Sequence, residues 1–285
     1  MPRIGFIGQG YVGKSHADDF ARRGYAVVRY AKEAPYAGNQ RAITGCHVVF
    51  IAVPTPTTPA GVDLSIVESV IPLARAGATV VIKSTLPPGT TEKLAKRFPD
   101  RFILHAPEFL RETRAAEDAA RPERVIIGIP RDTSEYRARA EAVRSMLPRA
   151  PFTRIVPARA AELVKYAGNV FLYLKVVYAN LLYDLARATG VAHEDLSTML
   201  AADPRIGPSH LTVIHASGHT NQKGRGAGGH CFIKDFEAFR RLYGASVSDS
   251  EGCLLLEALK NKNNDLLRES GKDLDLLAEV YGPLP

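Results

Sequence analysis

Cysteine is scarce in this chain of 285 residues: Cys46, Cys231 and Cys253 are odd in number and far apart. That excludes a disulfide framework and the paired spacing of a zinc site, and it fits a reducing cytosol. There is no Lys/Arg-rich block and no interleaving of basic with aromatic residues, although Lys and Arg (37) exceed Asp and Glu (30) to leave a net charge of +7. A mild excess spread along the chain suits anionic small molecules such as nucleotides, so nucleic acid is not the expected partner. No apolar run approaches membrane-spanning length, and the first residues enter a strand with no leader, so no membrane contact and a cytoplasmic location are expected. Repeats and low-complexity linkers are missing as well. The chain does have a hydrophobic content of 46%, enough for a sizeable core in one large or two medium domains.

The first pattern is a short apolar strand at 4–7, then Gly8-Gln9-Gly10-Tyr11-Val12-Gly13, then a helix at 15–22. Strand, glycine turn and helix are the context in which G-x-G-x-x-G binds a dinucleotide. The first glycine makes the turn and the second admits the pyrophosphate. The third lets helix and strand pack, and the helix N-terminus faces the phosphates. Gly8, Gly10, Tyr11, Val12 and Gly13 are therefore cofactor-binding candidates. A second strand, 26–30, should end in an acidic residue for the adenosine ribose. Instead Tyr30 precedes Ala31 and Lys32. Arg29 and Lys32 are candidates for a 2′-phosphate, Glu33 or backbone for the ribose, so both NAD and NADP stay open, with NAD ahead.

Strands at 47–53, 79–83, 102–105, 124–129 and 152–156 alternate with helices near 64–75, 91–97 and 134–147. The expected fold class is α/β: an N-terminal Rossmann-type doubly wound parallel sheet over residues 1–156. A mostly α-helical domain over 157–285 follows, built on one long helix at 160–188. Ligands of such sheets sit outside the carboxyl ends of the strands. Three polar segments fall there: Thr55-Pro56-Thr57, Ser84-Thr85 and the stretch from Glu108 to Glu112. The long helix is apolar on nearly every side and is expected to be buried all round. Lys165 and Asn169 interrupt it, four apart and so on one face, and Asn180 returns to that side. A buried lysine is costly unless it is paired or used. Further helices are expected near 194–202, 236–243 and 251–269.

The densest signal is Gly224-Arg225-Gly226-Ala227-Gly228-Gly229-His230-Cys231-Phe232-Ile233-Lys234-Asp235. A cysteine after a glycine-rich backbone, at the start of a helix, has a lowered thiol pKa, because amides and the helix dipole stabilise the thiolate. Coupled to a dinucleotide fold this suggests a covalent step. A thiolate adds to an aldehyde, the thiohemiacetal gives up hydride, and the thioester is hydrolysed. The preceding loop carries His210, His215 and His219. Their spacing lacks acidic companions, and no metal is expected.

Several motifs now stand in order: the glycine turn; Val53-Pro54-Thr55-Pro56-Thr57; Lys83-Ser84-Thr85-Leu86-Pro87-Pro88-Gly89-Thr90; and Pro107-Glu108-Phe109-Leu110-Arg111-Glu112. They continue with the run from Ala161 to Asn169, then Asp203-Pro204-Arg205-Ile206-Gly207, and the stretch from Gly228 to Asp235. In these motifs the chain resembles the UDP-glucose/GDP-mannose dehydrogenase family from Ile4 to about Asn264. The resemblance implies an NAD-linked, two-step oxidation of a sugar C6 alcohol to a carboxylate, with a sugar nucleotide as the small-molecule substrate. It implies Cys231 as nucleophile, and Lys165 and Asn169 holding an oxyanion or a catalytic water. It also implies Asp235 with Thr85 positioning water and protons, and Glu108 as acid/base in thioester hydrolysis. Lys32, Val53, Pro54, Thr55, Thr85, Glu112 and Lys234 would lie along the cofactor. Glu108, Phe109, Leu110, Arg111, Lys165, Asn169 and Gly228 would line the substrate. A homodimer through the long helix is a further implication.

The chain departs from the family pattern. Ala31 replaces the acidic ribose ligand, Ile233 the usual proline, and Leu181 an acidic residue after Asn180. The sequence to Pro285 leaves too little length for the family's second α/β domain, which helps bind the nucleotide of the substrate. The expected substrate is then a sugar nucleotide or a related polar alcohol. Two other readings are a two-electron hydroxyacid-type dehydrogenase using Lys165 and Asn169, and a non-catalytic dinucleotide or sugar-nucleotide binder.

Overall fold

Four-residue runs such as Ile4–Ile7, Val48–Ile51 and Thr79–Ile82 are buried at every position. Strands apolar on both faces need helices on both faces, which a parallel sheet joined by helical crossovers provides. The computed structural model describes residues 2–283. The strands and helices run β1 (Ile4–Ile7), α1 (Tyr11–Arg22), β2 (Val27–Tyr30), α2 (Gln40–Ile43), β3 (Val48–Ile51), β4 (Thr57–Thr58) and β5 (Gly61–Val62). They continue with α3 (Ser65–Val70), β6 (Thr79–Ile82), α4 (Thr90–Arg97), β7 (Phe102–His105), α5 (Ala115–Ala120), β8 (Arg124–Ile129), α6 (Ser134–Met146) and β9 (Phe152–Pro157). The rest is helical: α7 (Ala158–Thr189), α8 (His193–Ala201), α9 (Gly229–Ser246), α10 (Ser250–Ser270) and α11 (Leu274–Tyr281).

The chain divides into two compact units: Met1–Thr55 with Asp63–Lys165, and Pro56–Val62 with Tyr166–Pro285. In the first, seven strands lie in the order β2-β1-β3-β6-β7-β8-β9. All neighbours are parallel except β7 and β8, so β8 and β9 run against the other five. The α/β class and the mostly parallel doubly wound sheet are as the sequence leads one to expect. One face packs Phe6, Phe20 and Phe50 against Leu104 and Ile127. The other packs Ile51, Ile71 and Ile82 against Leu94 and Ile103. Each such side chain contributes roughly 1.5–3 kcal/mol on burial. Glu162, buried at the start of α7, accepts the amides of Gly89 (2.6 Å) and Thr91 (2.7 Å) and caps α4.

In the second unit the short hairpin β4–β5 packs with α9. Thr57 Oγ1 donates to the Lys234 carbonyl (3.1 Å), and Arg241 donates to the Thr58 carbonyl (2.9 Å). Tyr173 and Phe236 stack at 3.9 Å in its core.

Two sequence expectations need correcting here. The long helix is not buried all round: Leu163 (44%), Phe171 (63%), Tyr178 (57%), Leu181 (47%) and Leu185 (60%) are exposed. Spaced at eight, seven, three and four residues, they form an apolar stripe that this chain leaves uncovered. And α9 begins at Gly229 rather than near Phe236. Cys231 thus lies at the helix start that its glycine-rich approach points to, and the amide of Gly229 is capped from outside the segment, by Asp273 (2.9 Å).

Candidate functional site

The glycine turn in the first unit shows a division of labour. Gly8 has φ +90, and a Cβ there would lie 2.2 Å from the Ala52 carbonyl oxygen. At Gly13 a Cβ would lie 2.0 Å from the Gly8 oxygen, whereas at Gly10 it would meet nothing within 4 Å. Two glycines therefore allow close backbone packing and the middle one faces open space. Gly10 is the N-cap of α1 and offers no side-chain cap. Tyr11 and Val12 open the helix, so its first amides border that space. This fits a dinucleotide pyrophosphate, held by backbone amides and the helix dipole.

The neighbouring strand ends are tied together. Val53 N donates to Ser84 Oγ (3.0 Å), which donates to the Val53 carbonyl (2.7 Å). Thr55 Oγ1 donates to the Thr85 carbonyl (2.9 Å), and Pro54 lies between them in chain order. At the end of β2, Arg29 pairs with Asp18 (2.6 Å). Lys32 and Glu33 are exposed.

Beyond β7 the buried Glu108 accepts Lys165 Nζ (2.9 Å) through one oxygen and the Leu110 amide (2.7 Å) through the other. The pair is thus an ion pair with a hydrogen bond left to fix the carboxylate, the condition under which burying charge is tolerable. Phe109 lies under the Arg124 guanidinium (3.8 Å). Arg111 pairs with Asp118 (2.6 Å), and Glu112 is exposed. A cavity of about 430 Å³ is lined by Glu108, Phe109, Leu110 and Arg111, with Lys83 and His16. Lys83 donates to the Ala106 carbonyl (3.0 Å). Burial pushes its pKa down to about 8; Glu108 opposes this and Lys165 adds to it. His16 is buried, which holds it neutral.

In the second unit, Cys231 is the third residue of α9 and half-buried; Asp235 is buried one turn further on. Residues four apart on a helix share a face. Asp235 accepts Asn169 Nδ2 (2.6 Å) and Lys234 Nζ (2.5 Å). So the structure joins Asn169, Asp235 and Lys234 on the side of α9 that carries Cys231. Gly228, buried, immediately precedes the helix. The three cysteines form no disulfide, and among the described residues no group of three or more His, Cys, Asp or Glu is placed to hold a metal ion. No helix among them is long and apolar enough to cross a membrane.

Other residues around the glycine run escaped the sequence reading. Arg225 donates to Asn180 Oδ1 (2.9 Å) and Asp184 (2.7 Å). Asn263 clasps Ala227, accepting its amide (2.7 Å) and donating to its carbonyl (3.1 Å). The loop histidines are tied to the protein: His215 to Lys272 (3.2 Å), His219 to Asp275 (2.7 Å) and to His230 (3.0 Å). The only local sign was Lys272-Asp273 following Gly271, a polar pair after a helix end that is buried instead of exposed.

The sheet and its glycine turn define a dinucleotide-binding protein of Rossmann type. The sequence matches the UDP-glucose/GDP-mannose dehydrogenase family, its NAD binding domain over residues 36–146 and its central domain over 159–265. The UDP-glucose 6-dehydrogenase of Rhizobium meliloti is 38% identical over 210 residues, 68% of this chain and 45% of that protein. The UDP-glucose 6-dehydrogenase AglM of Haloferax volcanii is 30% identical over 341 residues, covering 98% of this chain and 76% of AglM. A solved UDP-glucose dehydrogenase from Pyrobaculum islandicum superposes with a TM-score of 0.76 at 30% identity, over all of this chain and 72% of that one. The chain belongs to the UDP-glucose/GDP-mannose dehydrogenase family and carries its NAD binding domain. It spans about half the length of the first curated relatives it matches (51%, 45% and 51%).

Proposed function

We propose that this chain oxidises the primary alcohol of a sugar nucleotide to a carboxylate, with Cys231 as a covalent nucleophile. The observation that carries the reading is Cys231 in the first turn of α9 with Asp235 one turn on, itself bonded to Asn169. NAD, which the glycine turn at 8–13 would hold, would supply the hydride acceptor for both oxidations. Thr55, Thr85, Glu112, Lys234 and Lys32 are its further contacts. The chain's own residues do the rest. The Cys231 thiolate, favoured by the helix dipole, adds to the aldehyde carbon and its electron pair forms the C–S bond. Asn169 and Lys165 donate hydrogen bonds to the oxygen that becomes an oxyanion. After the second hydride leaves, water attacks the thioester and the C–S bond breaks, releasing the carboxylate and restoring the thiol. Glu108, already hydrogen-bonded, takes the water's proton, and Asp235 with Thr85 orients that water. Glu108, Phe109, Leu110, Arg111 and Gly228 line the substrate.

The same reading takes the stripe of Phe171, Tyr178, Leu181 and Leu185 as the face met by a second copy, and the compartment as the cytosol, where Cys231 stays reduced. Analytical ultracentrifugation tests the first: Phe171→Glu should convert a dimer to a monomer, and a monomeric parent chain would refute it. For the chemistry, UDP-glucose and related sugar nucleotides are incubated with NAD. Two NADH and one acid per substrate are expected, with Cys231→Ala yielding none. If Cys231→Ala still released two equivalents at the normal rate, the covalent route would be wrong. One NADH per turnover, insensitive to iodoacetamide, would point to two-electron chemistry.

A further inference from the structure

We propose that Lys272 and Asp273 are positioning residues for Cys231: their side chains hold the glycine run that starts α9 and set the charge balance at its first turn. The proposal rests on reading Cys231 as the nucleophile.

Lys272 is fully buried, and its Nζ donates to the carbonyls of Gly226 (2.9 Å) and Gly224 (3.4 Å). A buried ammonium has three protons to place. The third meets His215 Nε2 at 3.2 Å. Asp273 is 3% exposed and sits in the left-handed region at φ 54. Side-chain-bearing residues rarely hold that conformation without compensation. The compensation lies in its carboxylate: Oδ2 accepts the Gly229 amide (2.9 Å) and Oδ1 accepts Ser217 Oγ (2.9 Å). Asp273 is thereby a helix cap delivered from a distant segment, since the N-cap residue, Gly228, has no side chain. The glycines fit this brace. A Cβ on Gly228 would lie 2.0 Å from Asp273 Oδ2, and one on Gly224 would lie 2.7 Å from Ser270 Cβ and 3.0 Å from Lys272 Cβ. Gly226 (φ +89) and Gly229 (φ +81) adopt the left-handed backbone between them.

The pair also has an electrostatic consequence. A carboxylate at the helix N-terminus competes with a Cys231 thiolate for the same dipole, and the lysine beside it offsets that charge. The titratable groups facing Lys272 are Asp273 and His215, with His210 behind His215. Burial pushes Lys272 down to about 8, against the pull of Asp273, so at pH 7 it still carries its charge. Asp275, His219 and His230 flank the same turn, so the test compares variants and not absolute profiles.

The full chain is alkylated with iodoacetamide from pH 6 to 9 and the rate at Cys231 is read by peptide mass, with half-buried Cys253 as the internal reference and buried Cys46 as the check that the chain stays folded. Lys272→Met should slow alkylation at pH 7 about fivefold and shift its pH profile to the alkaline side. Asp273→Asn should shift it to the acid side by a similar factor, and Lys272→Arg should restore the parent profile. A purely structural role gives equal slowing in both variants with an unmoved profile, and that result, or no change in either, overturns the proposal. If Lys272→Met fails to fold, Asp273→Asn decides alone: an acid shift supports the proposal and an unmoved profile overturns it. The readout does not depend on turnover. If Cys231→Ala keeps its oxidation, the reading of Cys231 as nucleophile fails on its own ground.

Discussion

Two glycine-rich stretches, 8–13 and 224–229, each lead into a helix, and the helix of each begins with a residue that has no side chain to cap it. What fills the space around them differs. At Gly10 a side chain would meet nothing, whereas at Gly228 it would collide with Asp273. The first run leaves open space at its helix start, room for an anion from outside. The second admits the protein's own Lys272, Asp273 and Asn263. Glycine density marks close approach of some group to the backbone; only the surroundings say whether that group is a ligand or the protein.

Substitutions at single glycines should separate the two cases. Gly13→Ala has the largest expected effect. Its Cβ would lie 2.0 Å from a backbone oxygen, which cannot swing away as a side chain can. Destabilisation of about 3 kcal/mol or more is expected, with NAD binding lost, as read by thermal melts and calorimetric titration. Gly228→Ala should cost less, about 1–3 kcal/mol, because the Asp273 carboxylate can move at the expense of its hydrogen bonds to Gly229 and Ser217. The cost should be non-additive with Asp273→Ala, since both changes remove the same contact. Additive effects in melts of the double variant would show that Asp273 does not hold Gly229. Gly10→Ala should leave stability within about 0.5 kcal/mol, because nothing is displaced. It should still weaken NAD binding by about tenfold or more, or about 1.4 kcal/mol. Unchanged binding would mean that the open space at Gly10 is not where the pyrophosphate lies.

The same contrast explains what was legible. The glycine turn, the polar strand ends, and the helix positions of Cys231, Lys165 and Asn169 could be read because local spacing defines them. That the helix start at Cys231 is continuous with the helix expected near 236–243 could not be read, because the cap that fixes its first turn arrives from Asp273, 44 residues away in sequence. The role of Arg29 stays open in the sequence because its partner, Asp18, lies on α1 and pairs through the fold. Composition makes the long helix look buried all round, but composition does not distinguish a core face from one left for another surface. The small elements β4–β5, α2, α5 and α11 are too short for periodicity to register.

The finest test concerns a second parallel. Each region is backed by a buried lysine, Lys83 behind the strand ends and Lys272 behind the cysteine run, each with a pKa pushed from 10.5 to about 8. Below pH 8 such a lysine is charged in both folded and unfolded protein, and burial penalises only the folded one. Between 8 and 10.5 the folded protein sheds the proton first, so stability rises with pH, by at most about 1.4 kcal/mol per pH unit for each lysine. Burial also keeps Tyr281 protonated beyond its ordinary range, which opposes the trend once unfolded tyrosines ionise. Chemical denaturation should therefore be compared between pH 8 and 10, parent against Lys83→Met. The variant should show the shallower rise, because one of the two contributing protons is gone while Lys272 and the tyrosines are common to both. Coincident slopes would mean that Lys83 titrates near its ordinary value, and that the space behind the strand ends is wetter than its burial implies.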